Sequence, residues 1–325
     1  MLSFWQRSFY LIVFLFLTVS VNAQSSTSRI TGIVNDGNGS AVAGATVTLT
    51  NEATGVTFTQ VTTTDGTYAF PSLTAGKYTV TVEQSGFKKS VQTNNVVEVG
   101  TPLNVNLVLE TGGVNEVVTV VSDRETVQTN TATIGNVVDQ RTIETLPLNG
   151  RNPLNLVLLE PGVVQRSGGA AGSGVHINGS RDRAFNVTID GIDANESSVP
   201  NPVSNIYRIN PDNVQEFKVT TNNATAEEGR NSGAAITLST RTGGNGFHGT
   251  GFLFFRDSAL NSTEFYANAQ KLPKRETKLK QFGFELGGPI IKNKTFFFGS
   301  FQTNVIDFTQ PIDQSFGTPI VYTAA

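Results

Sequence analysis

The sequence predicts a mainly β protein with three parts: an N-terminal β-sandwich, a mixed α/β segment and the first few strands of an incomplete transmembrane β-barrel. Its composition favours strands and turns, because 32 of the 325 residues are glycine and only 15% are charged. Short alternating runs broken by turn residues fill residues 30–110. Near the C-terminal end, aromatic strands alternate between apolar and polar residues, as strands that face lipid on one side do.

The first segment, residues 1–23, has the pattern of a secretory signal peptide. Arg7 gives it a positive start, a short apolar run follows, and small residues precede Ala23 at the spacing that signal peptidase recognises. The apolar run is shorter than the roughly 20 residues of a membrane-spanning helix, which argues against a membrane anchor. We therefore expect cleavage after Ala23 and export of the mature chain.

The composition also excludes several classes of function. A formal net charge of -3 provides no basic surface for nucleic acid. The chain has no cysteine, so a thiolate zinc site, a cysteine nucleophile and disulfides are all excluded. His176 and His248 have no acidic residue placed beside them to complete a ligand pair. We expect no catalytic site, no metal and no cofactor.

Residues 24–110 are predicted to form the β-sandwich. Val47 and Leu49 share one face of their run, while the neighbouring threonines share the other. Half-buried strands of this kind, repeated at a spacing of about 8 to 12 residues, are typical of β-sandwiches. The dipeptide Asp65-Gly66 predicts a hairpin turn.

Turn and core residues spread through this segment, among them Gly32, Asp65-Gly66 and Tyr68, resemble those of the carboxypeptidase regulatory-like domain. That resemblance implies an Ig-like or transthyretin-like sandwich that is accessory and not a peptidase, since the segment contains no histidine for a zinc site. The fold family also includes carbohydrate-binding modules, but no cluster of Trp or Tyr marks a sugar platform here. The matching residues are Gly32, Val34, Asp36, Gly39, Gly44, Ala45, Val47, Thr64, Asp65, Gly66, Tyr68, Phe70, Leu73, Gly76, Tyr78, Gly86 and Phe87.

A linker over residues 111–135 follows the sandwich and contains a run of high β-propensity. One interpretation is an extended segment that lends its backbone to the sheet edge of a partner, and the other is an ordinary last strand of the sandwich. The residues alone leave both interpretations open. The run consists of Glu116, Val117, Val118, Thr119, Val120 and Val121.

Residues 136–243 are predicted to form the mixed α/β part, with a short helix and amphipathic stretch ending at Pro161-Gly162 and several strands after it. The order of these elements, with the turn Asp190-Gly191, resembles the plug of TonB-dependent outer-membrane receptors, in particular the Oar-like branch with an N-terminal regulatory-like sandwich. The resemblance implies that Glu116–Val121 is the TonB box, which a TonB-type periplasmic energy-coupling protein binds. Asn178-Gly179 stands where many relatives have Arg-Gly, which leaves the ligand open.

Residues 244–325 are predicted to supply the barrel strands. Phe282, Phe284 and Leu286 share one face of a strand, and Gln281 and Glu285 share the other. This pattern is typical of a strand that faces lipid outside and water or a plug inside. The alternative is a soluble sandwich with an aromatic core.

Phe296, Phe297 and Phe298 directly follow a short polar turn, and we expect these rings at the membrane boundary. The connection over residues 257–278 is long and the one over 289–294 is short. Because outer-membrane barrels have long extracellular loops and short periplasmic turns, we expect 257–278 to be extracellular and 289–294 periplasmic.

The barrel segment is too short to close a cylinder. It can supply about three or four strands of about 10 residues, whereas transporters of this class close about 22. An open sheet exposes backbone groups to lipid, which is costly. We therefore expect the N-terminal portion of a longer receptor that is not transport-competent alone.

The sequence as a whole predicts an exported, non-enzymatic outer-membrane receptor for energy-coupled uptake of an unidentified ligand. The expected partners are the TonB-type coupling protein, outer-membrane lipid and an unknown extracellular ligand. The alternative function is that of a secreted or surface β-sandwich protein for binding or adhesion, with carbohydrate as one ligand class.

Overall fold

The computed structural model describes residues 28–113, 117–121, 131–165, 174–181, 184–195, 209–228, 232–263, 265–269, 271, 274 and 277–308. The predicted signal peptide with its cleavage residue Ala23 lies outside this range. The chain divides into two compact units. The first contains residues 1–52, 57–209 and 214–240, and the second contains residues 53–56, 210–213 and 241–325.

The first unit contains the predicted β-sandwich. Its strands are β1 (Ser28–Asp36), β2 (Thr46–Asn51), β3 (Thr57–Val61), β4 (Thr67–Leu73), β5 (Gly76–Glu83), β6 (Lys89–Val97), β7 (Leu103–Asn104), β8 (Leu107–Leu109) and β9 (Val117–Val121). One sheet has the order β4-β1-β7, with β8 also paired to β1. The other has the order β3-β2-β5-β6-β9.

The inner faces of these strands form one hydrophobic core. Val47 and Leu49 are fully buried in it, which confirms the predicted alternation, and Tyr78 and Val80 pack in the same core. Burial of apolar surface on this scale is the main source of stability for a chain without disulfides.

The turn at Asp65-Gly66 differs from the predicted hairpin. Gly66 has a φ of 69°, as a tight turn requires, but β3 and β4 on either side of it belong to different sheets. The turn packs on β1 instead, where Val34 N donates to Gly66 O at 2.9 Å. Local turn chemistry therefore predicted the reversal of the chain but not the strand pairing around it.

Strand β1 lies close to the connection between β7 and β8, and the Tyr68 side chain contacts both at this point. A Cβ at Gly32 would lie 1.9 Å from the carbonyl oxygen of Val105, so only glycine fits there. Tyr68 Oη donates to the same carbonyl at 2.7 Å. Burial of the phenol raises the pKa of Tyr68 above its ordinary value, because the phenolate would lose its hydration.

We expect Tyr68 to make the sandwich sensitive to alkali. The unfolded chain loses this proton above about pH 10, whereas the folded chain keeps it, so the stabilising contribution is complete below pH 10 and declines above it. Tyr68→Phe should cost about 1–2 kcal/mol at neutral pH through the lost hydrogen bond. The variant should also lose less free energy of unfolding between about pH 10 and pH 12 than the wild type does. Urea unfolding across this pH range measures both effects, and parallel pH profiles would contradict the prediction.

The chain continues with the predicted plug segment, residues 136–243, most of which lies in the first unit, whereas 210–213 and 241–243 belong to the second. Its elements are β10 (Ile134–Asp139), α1 (Gln140–Thr145), β11 (Val163–Gln165), β12 (Val175–Ile177), β13 (Phe185–Ile189), β14 (Ile192–Asp193), β15 (Val214–Asn222) and β16 (Ala234–Thr240). The main sheet has the order β10-β15-β16-β13-β14, and β11 pairs with β12. Asp139 begins α1, with its carboxylate accepting from Thr142 N at 2.9 Å.

Strand β15 is buried on both faces, unlike a strand at a protein surface. Phe217 and Val219 point into the hydrophobic core of the plug segment. Glu216, Lys218 and Thr220 occupy the opposite face and are buried as well. The turn at Val99 and Gly100 covers this face.

The second unit contains a three-stranded antiparallel sheet of order β17-β18-β19. Its elements are β17 (His248–Asp257), α2 (Phe265–Ala269), β18 (Thr277–Ile291) and β19 (Thr295–Phe308). β18 and β19 have 15 and 14 residues, more than the roughly 9–11 that a tilted strand needs to cross a membrane. The short connection is shorter than predicted, because 289–291 still belong to β18 and only 292–294 form the turn. Among the described helices, none combines the length and the hydropathy of a membrane-spanning segment.

Candidate functional site

The predicted TonB-box run contains strand β9 (Val117–Val121), which lies at the edge of the larger sandwich sheet. It runs parallel to β6, with its five residues in register from Val117 opposite Lys89 to Val121 opposite Thr93. Glu116, the first residue of the predicted TonB box, lies outside the described residues. The sequence left open whether this run is the last strand of the sandwich or a segment for a partner's sheet. In the structure it is paired with the sandwich strand β6. Its role as a TonB box stays a prediction.

β9 is attached through its backbone, because its side chains bury little surface. Val117, Val120 and Val121 are 56%, 47% and 64% exposed. The strand therefore gains little from hydrophobic burial and depends mainly on the hydrogen bonds of one edge. None of the strands that the structure describes pairs with its other edge.

The sandwich turn Glu98–Thr101 lies on the polar face of β15. The Glu216 carboxylate accepts a hydrogen bond from Val99 N, and Lys218 Nζ donates to Gly100 O at 2.8 Å. Both charged side chains are buried, with exposures of 7% and 6%. A buried charge is tolerated only when it is paired and hydrogen-bonded, so the sandwich turn supplies partners that the plug segment needs.

Glu228 completes this arrangement. Its Oε1 lies 3.5 Å from Lys218 Nζ and accepts from Thr220 Oγ1 at 3.0 Å. The Lys218 ammonium thus lies between a carboxylate of the plug segment and a carbonyl of the sandwich. We call Glu216, Lys218 and Glu228 the docking cluster.

The predicted turn Asp190-Gly191 connects β13 to β14. Both residues have positive φ, 50° and 82°, which is the geometry of a type I′ hairpin turn. The Asp190 carboxylate accepts from Thr240 N at 2.9 Å and from Thr240 Oγ1 at 2.7 Å. The side chain therefore ties the end of β16 to the hairpin, and its part in a plug motif stays a prediction.

The alternation predicted for β18 is confirmed by exposure. Phe282, Phe284 and Leu286 are 45%, 57% and 47% exposed, whereas Gln281 and Glu285 are 3% exposed. A water-soluble sheet would bury the apolar face and expose the polar one. The observed reversal is that of a barrel strand with lipid outside and polar groups inside.

The polar face of β18 carries an ion pair, which we call the inner-face pair. Arg241 Nη1 lies 2.6 Å from Glu285 Oε1, and the two side chains are 15% and 1% exposed. The same nitrogen lies 3.3 Å from the carbonyl oxygen of Asp212, to which it donates. Arg241 N also donates to Asn213 O at 2.9 Å. Arg241 thereby fixes the segment that follows β16 against the inner face of the sheet.

The three phenylalanines at the start of β19 use both faces of the strand. The Phe297 ring packs against Phe247, with centroids 6.4 Å apart. On the other face, the Phe298 ring stacks with His248 at 6.3 Å and has the Arg241 guanidinium 5.8 Å from its centroid. The placement of Phe296, Phe297 and Phe298 at a membrane boundary stays a prediction.

The histidines make local backbone contacts. His176 Nδ1 lies 2.7 Å from Ser180 O, and His248 Nδ1 lies 3.1 Å from Gly246 O. Within the described ranges, no group of three or more His, Asp and Glu residues is arranged to hold a metal ion.

Sequence reasoning did not single out the docking cluster or Arg241. It placed Glu285 on the polar face of its strand but assigned it no partner. One signal was present: Glu216 and Lys218 alternate with Phe217 and Val219 in a strand. That pattern predicts two different faces, but it does not reveal that the polar face is covered by another part of the chain.

Three family models match successive parts of the chain. The carboxypeptidase regulatory-like domain matches residues 29–110. The TonB-dependent receptor plug domain matches residues 118–236, and an outer membrane beta barrel domain matches residues 239–319.

The chain is similar to the TonB-dependent transporter Oar of Myxococcus xanthus, with 30% identity over 292 residues. The match covers 86% of this chain and 27% of that protein, so the chain spans about a quarter of the length of its relative. The siderophore receptor PirA from Acinetobacter baumannii is similar over 52% of this chain and 24% of its own, with 20% identity and a TM-score of 0.40. A mutant ferric enterobactin receptor from Pseudomonas aeruginosa is similar over 48% of this chain and 22% of its own, with 17% identity and a TM-score of 0.35.

Proposed function

The chain belongs to the TonB-dependent receptor family of the outer membrane, and on this premise we propose that the whole protein takes up a ligand by energy-coupled transport. Transport in this proposal involves no chemical step, so the protein is not an enzyme. The ligand is extracellular, and the energy comes from a TonB-type periplasmic protein. The match of residues 118–236 to the TonB-dependent receptor plug domain, and the similarity of 86% of the chain to a TonB-dependent transporter, support the proposal.

Strand β9 is the observation that carries the proposal. An extended, exposed run of β-branched residues lies in the linker between the sandwich and the plug segment and has one unpaired edge among the described strands. A partner that adds a strand there gains main-chain hydrogen bonds, the usual source of affinity in β-augmentation. A pull on this strand reaches the plug segment through the linker, and movement of the plug would open a path.

A pair of prolines tests this role of β9. Val118 and Thr119 are adjacent, so their N–H groups point to opposite edges of the strand. The variant Val118→Pro/Thr119→Pro removes one donor from each edge and breaks the extended geometry. We expect binding to the purified periplasmic domain of the coupling protein of the same bacterium to fall by at least about tenfold.

The matched control is Val118→Thr/Thr119→Val, which keeps the composition and both donors. It should bind the periplasmic domain like the wild type. Unchanged binding of the proline variant would remove Val117–Val121 from the mechanism. Failure of the wild type itself to bind would remove energy coupling by this partner.

A further inference from the structure

We propose that the β-sandwich presents β9 as a formed edge, and that the coupling protein adds its strand to this edge while β9 remains paired with β6. The docking surface would then be the open side of the sheet β3-β2-β5-β6-β9, and the bound strand would become its sixth member. The inference rests on the proposed function of Val117–Val121 and adds the regulatory-like sandwich to the partner's binding site.

The pairing of β9 with β6 is the first observation. The register is continuous over all five residues, and Val120 lies opposite Gln92. The sheet order places β9 at the end, beyond β6. One edge of β9 is therefore satisfied by the sandwich before any partner arrives.

The exposure of β9 is the second observation. The valine side chains at its two ends, Val117 and Val121, are more than half exposed, although valine is among the residues most often buried. An uncovered edge strand of β-branched residues is a template for another strand. The occupant that fits is an extended segment with free backbone groups and apolar side chains, as a coupling protein binding by β-augmentation would supply.

Because β9 is already ordered as a strand, we expect the partner strand to add to β9 and not to release β9 from β6. A flexible segment must lose backbone entropy when it becomes a strand, and this loss weakens binding. In the structure β6 already holds β9 in the strand conformation. A partner that first had to remove β9 from β6 would lose those hydrogen bonds before it gained its own.

The docking cluster gives this arrangement a mechanical consequence. Lys218 and Glu216 hold the sandwich turn Glu98–Thr101 on β15 of the plug segment. A partner bound to the sandwich sheet therefore pulls on an element that is itself attached to the plug segment, in addition to pulling on the linker.

A disulfide between β6 and β9 tests whether the partner binds while β9 stays paired with β6 or only after β9 has left β6. Gln92→Cys/Val120→Cys places cysteines opposite each other on strands about 4.8 Å apart, within the range that a disulfide spans. The natural chain contains no cysteine, so any disulfide in the variant is the designed one. The control Lys89→Cys/Val121→Cys is four positions out of register and should not form a bond.

The measurement is the affinity of the full chain for the purified periplasmic domain of the coupling protein, with the cysteine pair oxidised and reduced. We expect the oxidised protein to bind within about threefold of the reduced one. A loss of at least about tenfold on oxidation, restored by reductant, would overturn the inference and leave the proposed function intact. Failure of the disulfide to form would also overturn it. Absence of binding by the wild-type chain would overturn the proposed function together with the inference.

Discussion

Lys218→Met is expected to destabilise the first unit by about 3–5 kcal/mol, because it removes a buried cation and leaves the largely buried Glu228 carboxylate without its partner. In the folded chain the Lys218 ammonium lies 3.5 Å from Glu228 Oε1 and donates to Gly100 O at 2.8 Å. Methionine has a similar shape and fills the same space, so the change removes the charge and its hydrogen bonds with little change in packing. The loss should appear as a lower midpoint in chemical unfolding with an unchanged slope.

The double variant Lys218→Met/Glu228→Gln shows how much of the stability loss comes from the unpaired Glu228 charge and how much from other consequences of losing Lys218. It removes both charges, so it should recover a large part of the lost stability. Lys77→Met is the matched control, because the Lys77 side chain is exposed on the sandwich of the same unit. That control should remain within about 0.5 kcal/mol of the wild type. Equal stability of Lys218→Met and Lys77→Met would contradict the role of the docking cluster.

The docking cluster also predicts how the sandwich moves. Because the turn Glu98–Thr101 satisfies buried charges of the plug segment, separating the two leaves Glu216 and Lys218 without these partners. The sandwich is thus held on the plug segment and is not a freely tethered domain. Loss of Lys218 should therefore weaken the mechanical connection between β9 and the plug as well as the stability of the fold.

The alternation of β18 was predictable from the sequence for a local reason. A strand points successive side chains to opposite faces, so Phe282, Phe284 and Leu286 had to share a face whatever the rest of the chain did. Glu285 fell on the other face by the same rule. Its partner Arg241 is 44 residues away in sequence, and no local pattern connects them.

The position of β9 was not predictable because an edge strand with exposed side chains has no periodic burial to reveal it. Val117–Val121 is apolar at four of its five positions, which suits either an edge strand or a segment reserved for a partner. Its parallel pairing with β6 depends on backbone groups, which every residue other than proline carries in full. Sequence alone could therefore name the segment and offer the sandwich as one of two placements, but it could not decide between them.

Arg241→Met is the second variant with a large expected effect, about 3–5 kcal/mol of folding stability. The Glu285 side chain is 1% exposed and its Oε1 lies 2.6 Å from Arg241 Nη1. Removal of the guanidinium leaves this carboxylate buried and unpaired, and it also removes the cation from the Phe298 ring. In detergent solution the variant should unfold at a lower temperature than the wild type.

Three further variants show whether the stability lost in Arg241→Met comes from the missing charge or from the missing geometry of the guanidinium. Arg241→Lys keeps the charge but loses the planar fork, so it should be intermediate. Arg241→Met/Glu285→Gln removes both charges and should recover much of the lost stability. Arg256→Met changes an exposed arginine of β17 and should behave like the wild type. If Arg241→Met unfolds at the wild-type temperature, Glu285 does not depend on its cation, and the inner-face pair does not anchor the segment after β16.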